Sequence, residues 1–236
     1  MTTEITILSI QVGRPRQHAV AGDNRRSPST WTSAIVKRSV TGPVAVSLTN
    51  LDGDEQADRV HHGGPDKAIL GYAAANYDYW RTELPLLELD FGAFGENLTL
   101  DGIDESTCCI GDVFAIGDCR LQVSQPRQPC WKLSRRWNVR DLAARVQKSG
   151  RTGWYYRVLA PGTIRPGMTL RMVERPYPRF TIAAASGVMY RKPFDPASDR
   201  ELASCPALSE SWKRTLLERA TSGREPDSAA RLEGRS

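Results

Sequence analysis

The sequence predicts a mainly β protein with some α-helix, in which a β-barrel is followed by a small helical domain. Short apolar runs broken by Gly, Pro, Asn and Asp fill residues 1–178, and these residue types end strands. Residues 111–124 carry a hairpin pattern around the turn Gly117-Asp118. Strands this short close most easily into a barrel, because closure removes exposed edges. After residue 178 the pattern changes to capping residues followed by apolar residues at helical spacing.

Length and composition describe an ordinary globular chain. The 236 residues are 40% hydrophobic and 25% charged, enough for one large core and a small satellite. No run reaches the ~18 apolar residues that cross a membrane, and the amino-terminal residues lack the features of a signal peptide. We therefore expect a cytoplasmic protein with no membrane contact. The five cysteines show no Cys-x-x-Cys spacing and are expected to be reduced.

Two helices are expected to interrupt the strands of the first domain, which we place at residues 1–178. One helix is expected from Lys67 to about Leu84, where a proline ends it. The other is expected to follow Asn138 as its N-cap and to end at Gly150.

Residues 179–223 are expected to form the small helical domain, and residues 224–236 a disordered tail. Thr181 and Ser209 are predicted to cap helices, and Ser198-Asp-Arg-Glu201 is predicted to form a capping box. Three short helices cannot hold a core alone, so we expect them to pack on the barrel or on each other beside it.

The segment Ser124–Lys132 is the strongest candidate for chemistry. It follows a strand, and its two prolines restrict the backbone, so the loop has few conformations to lose. The loop presents Cys130 between Arg127 and Lys132. Nearby cations favour the thiolate, which is both a nucleophile and a soft metal ligand. The alternative is a buried cysteine that only packs within a proline-rich turn.

A second candidate precedes the helix expected at Lys67. Gly63 and Gly64 allow positive φ and a close backbone approach. Free amides at a helix start would form an anion site there, with Lys67 and His62 beside it. The alternative is an ordinary glycine-rich junction with incidental histidines.

A third candidate is Phe94-Gly-Glu-Asn-Leu98. Glu96 and Asn97 could bond to the amide and amino edges of a heterocycle. Such residues also make ordinary turns, and that alternative stays open.

Taken in order, these segments resemble the MOSC domain (the molybdenum cofactor sulfurase C-terminal domain), specifically its stand-alone YiiM-like branch. The resemblance covers nearly the whole chain, and the order and spacing of the segments make it specific. The matching segments are Trp31–Lys37, Gly42-Pro43, Gly53–Asp58, His62–Ala68, Phe94–Leu98, Gly111-Asp112, Gln125–Leu133, Gly153-Trp154, Pro161-Gly162 and Leu208–Lys213.

The resemblance implies a barrel pocket that holds molybdopterin, with Cys130 as the ligand of molybdenum. It implies an oxidoreductase that detoxifies N-hydroxylated bases and amines, such as 6-hydroxylaminopurine, with electrons from a separate flavoprotein reductase. Arg127 and Lys132 would stabilise anionic charge during the reaction. The residues expected to bind the cofactor are His62, Gly63, Gly64, Lys67, Glu96, Asn97, Gln125 and Arg127.

Two features depart from the family pattern, namely the doubled histidine His61-His62, of which only His62 is matched, and an extended loop from Arg14 to Pro28. Three other functions stay open. Cys130 could be a covalent nucleophile with His62 as its base. The protein could also be a non-catalytic molybdopterin carrier or sensor, or a barrel that binds single-stranded nucleic acid. The net charge of +5 is spread along the chain, and few aromatic residues neighbour the cations, so we expect a small anionic ligand and no nucleic-acid polymer.

Overall fold

The β-barrel that the sequence predicts is confirmed, and it consists of seven strands of one sheet that closes on itself. The computed structural model describes residues 4–19, 29–58 and 63–234. Its strands are β1 (Ile5–Val12), β2 (Arg16–Ala19), β3 (Thr30–Ser33), β4 (Arg38–Val40), β5 (Val44–Val46), β6 (Ile69–Ala73), β7 (Leu98–Asp101), β8 (Val113–Ile116), β9 (Cys119–Pro126), β10 (Trp154–Ala160), β11 (Gly162–Ile164) and β12 (Thr169–Glu174). The order around the barrel is β12, β8, β9, β10, β6, β7, β1 and again β12, with only the β6–β7 pair parallel.

The hairpin of β8 and β9 shows how alternation in the sequence builds the barrel wall. The hairpin closes with Ile116 paired to Cys119. On β9, Cys119, Leu121 and Val123 are fully buried, while Gln122 between them is partly exposed. Successive side chains of a strand point to opposite faces, so the sequence alone predicts that these three residues share one face of β9.

Seven helices are present in the part of the chain that the structure describes. They are α1 (Asn76–Glu83), α2 (Trp131–Trp137), α3 (Leu142–Ser149), α4 (Ile182–Tyr190), α5 (Pro196–Ala203), α6 (Glu210–Ser222) and α7 (Ala229–Glu233). Ile182 of α4 and Trp212 and Leu216 of α6 belong to the same apolar cluster as the barrel interior. The carboxy-terminal helices therefore pack on the barrel and share its core. Among these helices, none is both long and apolar enough to cross a membrane.

The helix expected from Lys67 to Leu84 is wrong in its first half. Pro65–Lys67 is one 3-10 turn, Ile69–Ala73 is strand β6, and the helix begins only at Asn76. Every residue of β6 is buried, so its apolar run has no alternation to separate a strand from a helix.

Asn138 ends a helix instead of starting one. It takes the left-handed conformation (φ 51°) after α2, a helix that the sequence reasoning missed. Helix α3 begins later, at Leu142, and ends at Gly150 as predicted. Asparagine suits both an N-cap and a left-handed C-cap, so its identity alone does not decide between them.

Two of the three predicted caps in the helical domain are confirmed. Thr181 accepts a bond from the Ala184 amide at 3.0 Å, and Ser209 caps α6. The capping box at Ser198 is wrong, because Asp195 caps α5 through the amides two and three residues later and a proline fills the first helical position.

Two segments expected to lack regular structure contain it. Within the predicted loop from Arg14 to Pro28, strand β2 pairs with β3 in a hairpin, while residues 20–28 lie outside the described residues. Within the tail predicted to be disordered, α7 forms a short helix. Both segments are polar. Backbone pairing with β3 orders β2, and hydrogen bonds from Arg231 to Pro129 and Gln147 hold the tail helix α7.

A buried ion pair joins the three helices of the carboxy-terminal domain. The Arg219 guanidinium donates to both carboxylate oxygens of Asp199 at 2.8 and 2.5 Å, and to the carbonyls of Met189 and Val188. Both charged side chains are at most 1% exposed. The pair thus links α6 to α5 and to the end of α4.

We predict that Arg219→Ala lowers the free energy of unfolding by roughly 3–5 kcal/mol, because it leaves the Asp199 carboxylate buried without its partner. Urea unfolding followed by circular dichroism measures the change. Glu218→Ala, on the exposed face of the same helix, is the control and should change it by about 0.5 kcal/mol or less. Equal effects of the two substitutions would contradict the stabilising role of this pair.

Candidate functional site

A cleft lies beside the loop that follows β9 and beside the paired residues Leu70 of β6 and Tyr155 of β10. It encloses about 660 Å³ of empty space, including its open mouth. The described residues that line it are Ser33, Ala34, Ile35, Lys37, Asp54, Glu55, Gln56, Ala57, Asp58, Lys67, Leu70, Gly95, Asn97, Arg127, Gln128, Cys130, Lys132 and Tyr155. Five residues expected at the site from the sequence are among them, namely Lys67, Asn97, Arg127, Cys130 and Lys132.

Cys130 reaches this cleft from the proline-containing loop after β9. Its side chain is 8% exposed, and it stands at the N-cap position of α2, where its carbonyl accepts from the Leu133 amide at 3.0 Å. The loop starts on a fixed point, because the Arg127 amide donates to the Gly153 carbonyl at 3.0 Å. Gly153 has φ 72°, and a β-carbon there would lie 2.4 Å from the Gly71 carbonyl oxygen, so only glycine fits.

Arg127 has one guanidinium nitrogen with a partner and one without. Its Nη2 donates to the Phe94 carbonyl at 3.0 Å. Its Nη1 is buried, and none of the residues described accepts a hydrogen bond from it. An unsatisfied buried charge is costly, so this nitrogen marks a position where an anion would be stabilised.

Glu96 supports Arg127 indirectly. Its carboxylate is fully buried and accepts from the amides of Gly92 and Phe94 at 2.6 and 3.1 Å, and from the hydroxyls of Thr99 and Tyr77. Both carboxylate oxygens are thus used within the protein, which favours the turn-forming alternative for this residue. The turn that Glu96 holds carries the Phe94 carbonyl to which Arg127 donates.

Asn97 lies at the cleft but is also bonded to the protein at both ends of its amide. Its oxygen accepts from the Leu70 amide at 3.0 Å, and its nitrogen donates to the Gln11 carbonyl and to Asp54 Oδ2, the latter at 2.9 Å. These bonds hold Asp54 in place and leave Asn97 little capacity to bind a heterocycle.

Asp54 and Lys37 form a buried pair that the sequence reasoning missed. Lys37 Nζ donates to Asp54 Oδ1, and the two side chains are 7% and 2% exposed. Loss of solvent lowers the pKa of Lys37, although the Asp54 charge opposes this shift. Both residues lie in segments that carry the family resemblance, and that position was the only signal that could have found them.

The glycine-rich segment contributes a cation without the predicted helix start. Because Pro65–Lys67 is a single 3-10 turn, the expected row of free helical amides is absent and this part of the prediction is wrong. Lys67 nevertheless lines the cleft, and burial lowers its pKa against the opposing charges of Asp66 and Asp58. Gly63 and Gly64 are not among the lining residues, and His62 lies outside the described residues.

Gln125 faces the helical domain and not the cleft. Its oxygen accepts from the Ser211 hydroxyl of α6 at 3.3 Å, and its nitrogen donates to the Pro126 carbonyl. Beside it, the Ser124 carbonyl accepts from the Ser209 amide at 2.9 Å. The strand that leads to Cys130 is therefore attached to the start of α6.

The charges at the cleft leave an excess of positive charge. Four cations line it, against three carboxylates. One carboxylate, Asp54, is paired with Lys37, and another, Glu55, lies at the exposed edge 3.7 Å from Arg14. Burial raises the pKa of Tyr155 to about 12, which Arg127 opposes and Cys130 supports. An anionic ligand fits this excess of positive charge.

Three aromatic rings, which the sequence reasoning did not predict, connect the hairpin β2–β3 to Trp131, the residue after Cys130. The His18 and Trp31 rings stack with centroids 4.6 Å apart, and Trp31 meets Trp131 edge-on at 5.8 Å. Lys132 Nζ lies 5.9 Å from the centroid of the Trp131 ring. The hairpin β2–β3 and the loop that carries Cys130 are thus joined through aromatic contacts.

Comparisons with known proteins place this chain in a family. Residues 58–171 match the MOSC domain, and residues 181–223 match the YiiM-like, 3-alpha helix domain. Protein YiiM of Escherichia coli (strain K12) is 40% identical over 210 residues, which cover 88% of this chain and 93% of that protein. The chain belongs to the YiiM-like branch of the MOSC family.

Two further relatives bear on structure and function. The crystal structure of YiiM from Geobacillus stearothermophilus has a TM-score of 0.76 and 36% identity, and the match covers 92% of this chain and all of that one. A protein named Reductase from Gibberella moniliformis (strain M3125 / FGSC 7600) is 38% identical over 179 residues, which are 75% of this chain and 30% of that protein.

We predict that Glu96→Ala lowers the free energy of unfolding by roughly 2–4 kcal/mol, because two buried amides lose their acceptor. Thermal and urea unfolding of the purified variant measure this effect. The exposed Glu88→Ala, from the neighbouring loop, should unfold like the parent protein. Unchanged stability of Glu96→Ala, together with a weaker affinity for molybdopterin, would instead support direct cofactor binding by this residue.

Proposed function

We propose that this protein is a molybdenum-cofactor-dependent reductase of N-hydroxylated bases and amines. The observation that carries the proposal is that Cys130 shares a cleft with Arg127, a residue whose buried Nη1 has no hydrogen-bond partner among the described residues. A soft thiolate ligand and an unsatisfied cation in one cleft match the two ends of a metal-bearing, phosphorylated cofactor. Membership of the MOSC family supports the same assignment.

The residues present fit molybdopterin. Arg127 and Lys67 would hold its anionic phosphate, and Cys130 would be the protein ligand of molybdenum. No group of three metal-ligating side chains occurs within residues 4–19, 29–58 and 63–234, so one thiolate matches a metal that brings its other ligands with it. When bound, the cofactor supplies two-electron reduction.

The reaction we propose cleaves the N–O bond of the substrate. One hydroxylamine group, two electrons and two protons give one amine and one water. The electrons come from a separate flavoprotein reductase. Lys132 at the cleft would stabilise negative charge that develops on the departing oxygen.

The name of one relative supports a reductase. The Gibberella moniliformis relative carries the name Reductase, although this chain matches only 30% of that protein. Covalent catalysis by Cys130 needs His62 as its base, and His62 lies outside the described residues, so the molybdenum content of the purified protein separates this alternative from the reductase. A molybdopterin carrier has the same cofactor site, and turnover separates it from the reductase.

We predict that Cys130→Ser abolishes the reduction of 6-hydroxylaminopurine with a chemical reductant, while the protein stays folded. An oxygen ligand is harder than a thiolate and would not keep the same electron density on the metal. Product analysis by chromatography, expressed per bound molybdenum, measures the loss. Cys205→Ser, a substitution in the apolar core, is the control and should affect stability only.

Two results would contradict this account in different ways. Full activity of a cofactor-loaded Cys130→Ser protein would remove the thiolate from the mechanism. Fully loaded parent protein that reduces no N-hydroxylated compound would establish the carrier function in place of the enzyme.

We also predict that Lys67→Ala weakens cofactor binding about tenfold, the usual effect of losing one charge-assisted contact to a phosphate. Rate per bound molybdenum should change little, because Lys67 holds the cofactor and does not contact the reacting atoms. The exposed Lys148→Ala in α3 is the matched control. Molybdenum per chain and turnover per molybdenum are measured together. Normal occupancy in Lys67→Ala would return this segment to a purely structural role.

A further inference from the structure

The carboxy-terminal tail contacts the residues on both sides of Cys130. From α7, the Arg231 guanidinium donates through Nη1 to the Pro129 carbonyl and through Nη2 to Gln147 Oε1 at 2.7 Å. Gly234, at φ 69°, lies against the Trp131 ring, and a β-carbon on it would come within 2.8 Å of the indole. Through these contacts the tail packs against the residues that precede and follow Cys130 in its loop.

The Pro129 carbonyl belongs to the peptide that joins Pro129 to Cys130. The proline ring fixes φ of Pro129, so the main freedom left is rotation of this peptide about ψ. That rotation turns the Cys130 backbone and with it the direction of the side chain. A guanidinium bonded to the carbonyl opposes the rotation, since hydrogen bonds to a charged donor are stronger than neutral ones.

Arg231 also joins this peptide to a second element. Gln147 belongs to α3, whose residues Leu142 and Val146 lie in the apolar cluster around α1. The guanidinium therefore connects the loop to a packed helix, which is a firmer support than the short α7 itself.

We propose that Arg231 is a positioning residue for Cys130, and that the tail holds the thiol toward the cleft. What the oriented thiol does rests on the proposed function, but its orientation does not depend on any cofactor. Arg231 acts through the Pro129 carbonyl, and we assign it no contact with substrate.

The test measures alkylation of Cys130 by iodoacetamide in the cofactor-free, full-length protein, followed at residue 130 by peptide mass spectrometry. Arg231→Ala should raise this rate about tenfold, as expected when one charge-assisted hydrogen bond no longer holds a cysteine that is only 8% exposed. Arg231→Lys keeps one donor and should restore part of the protection. Cys108, Cys119 and Cys205, all buried in the core, are internal references in the same digest.

Two control variants separate positioning from general loosening. Arg224→Ala removes an exposed cation from the same tail and should leave the rate unchanged. Gln147→Ala removes the second acceptor but keeps the bond to Pro129, so its effect should be smaller than that of Arg231→Ala. The thermal unfolding midpoint of Arg231→Ala should match that of Arg224→Ala.

Three results would overturn the proposal. These are an unchanged alkylation rate in Arg231→Ala, a slower rate in that variant, and an equal acceleration at all buried cysteines, which would indicate general unfolding. Because the assay contains no molybdenum, its failure and the failure of the reductase proposal are separate results.

Discussion

The structure depends on the burial of one guanidinium beneath an open cleft. Arg127 has a partner for Nη2 in the Phe94 carbonyl, while its Nη1 has none among the described residues. A charge in this position persists only if the surrounding fold fixes it or a ligand completes it. The Glu96 turn holds the Phe94 carbonyl, and Gly153 anchors the Arg127 backbone. Several elements of the barrel thus fix the Arg127 guanidinium in a position where it could bind an anion.

The helical domain contributes to the same end of the molecule. Ser209 at the start of α6 donates to the Ser124 carbonyl on β9, and the next amide, that of Glu210, donates to Asp66 at 3.3 Å. Asp66 Oδ1 also accepts a hydrogen bond from Arg157 Nη2 of β10 at 2.6 Å. One helix start therefore supports both the strand that leads to Cys130 and the turn that carries Lys67.

The barrel and the cysteine loop could be predicted because they depend on local rules. Alternation marked β9, and prolines with flanking cations marked Cys130. The roles of Glu96 and Asn97 could not be predicted, because their partners, such as Tyr77 and Asp54, are distant in sequence. The Lys37–Asp54 pair could not be predicted for the same reason, since its two residues are 17 positions apart in the sequence. The strand β6 was misread because a fully buried strand shows no period. Polar segments such as the tail are ordered by single long-range bonds that leave no pattern in the sequence.

We propose that this cleft binds one molybdopterin through Arg127 and Cys130. The most direct test measures molybdenum and pterin per chain in the parent protein, purified from a host that makes the cofactor. We expect near-equal molar amounts of chain, molybdenum and pterin. Protein free of both, from a host in which another molybdenum enzyme is fully loaded, would contradict it.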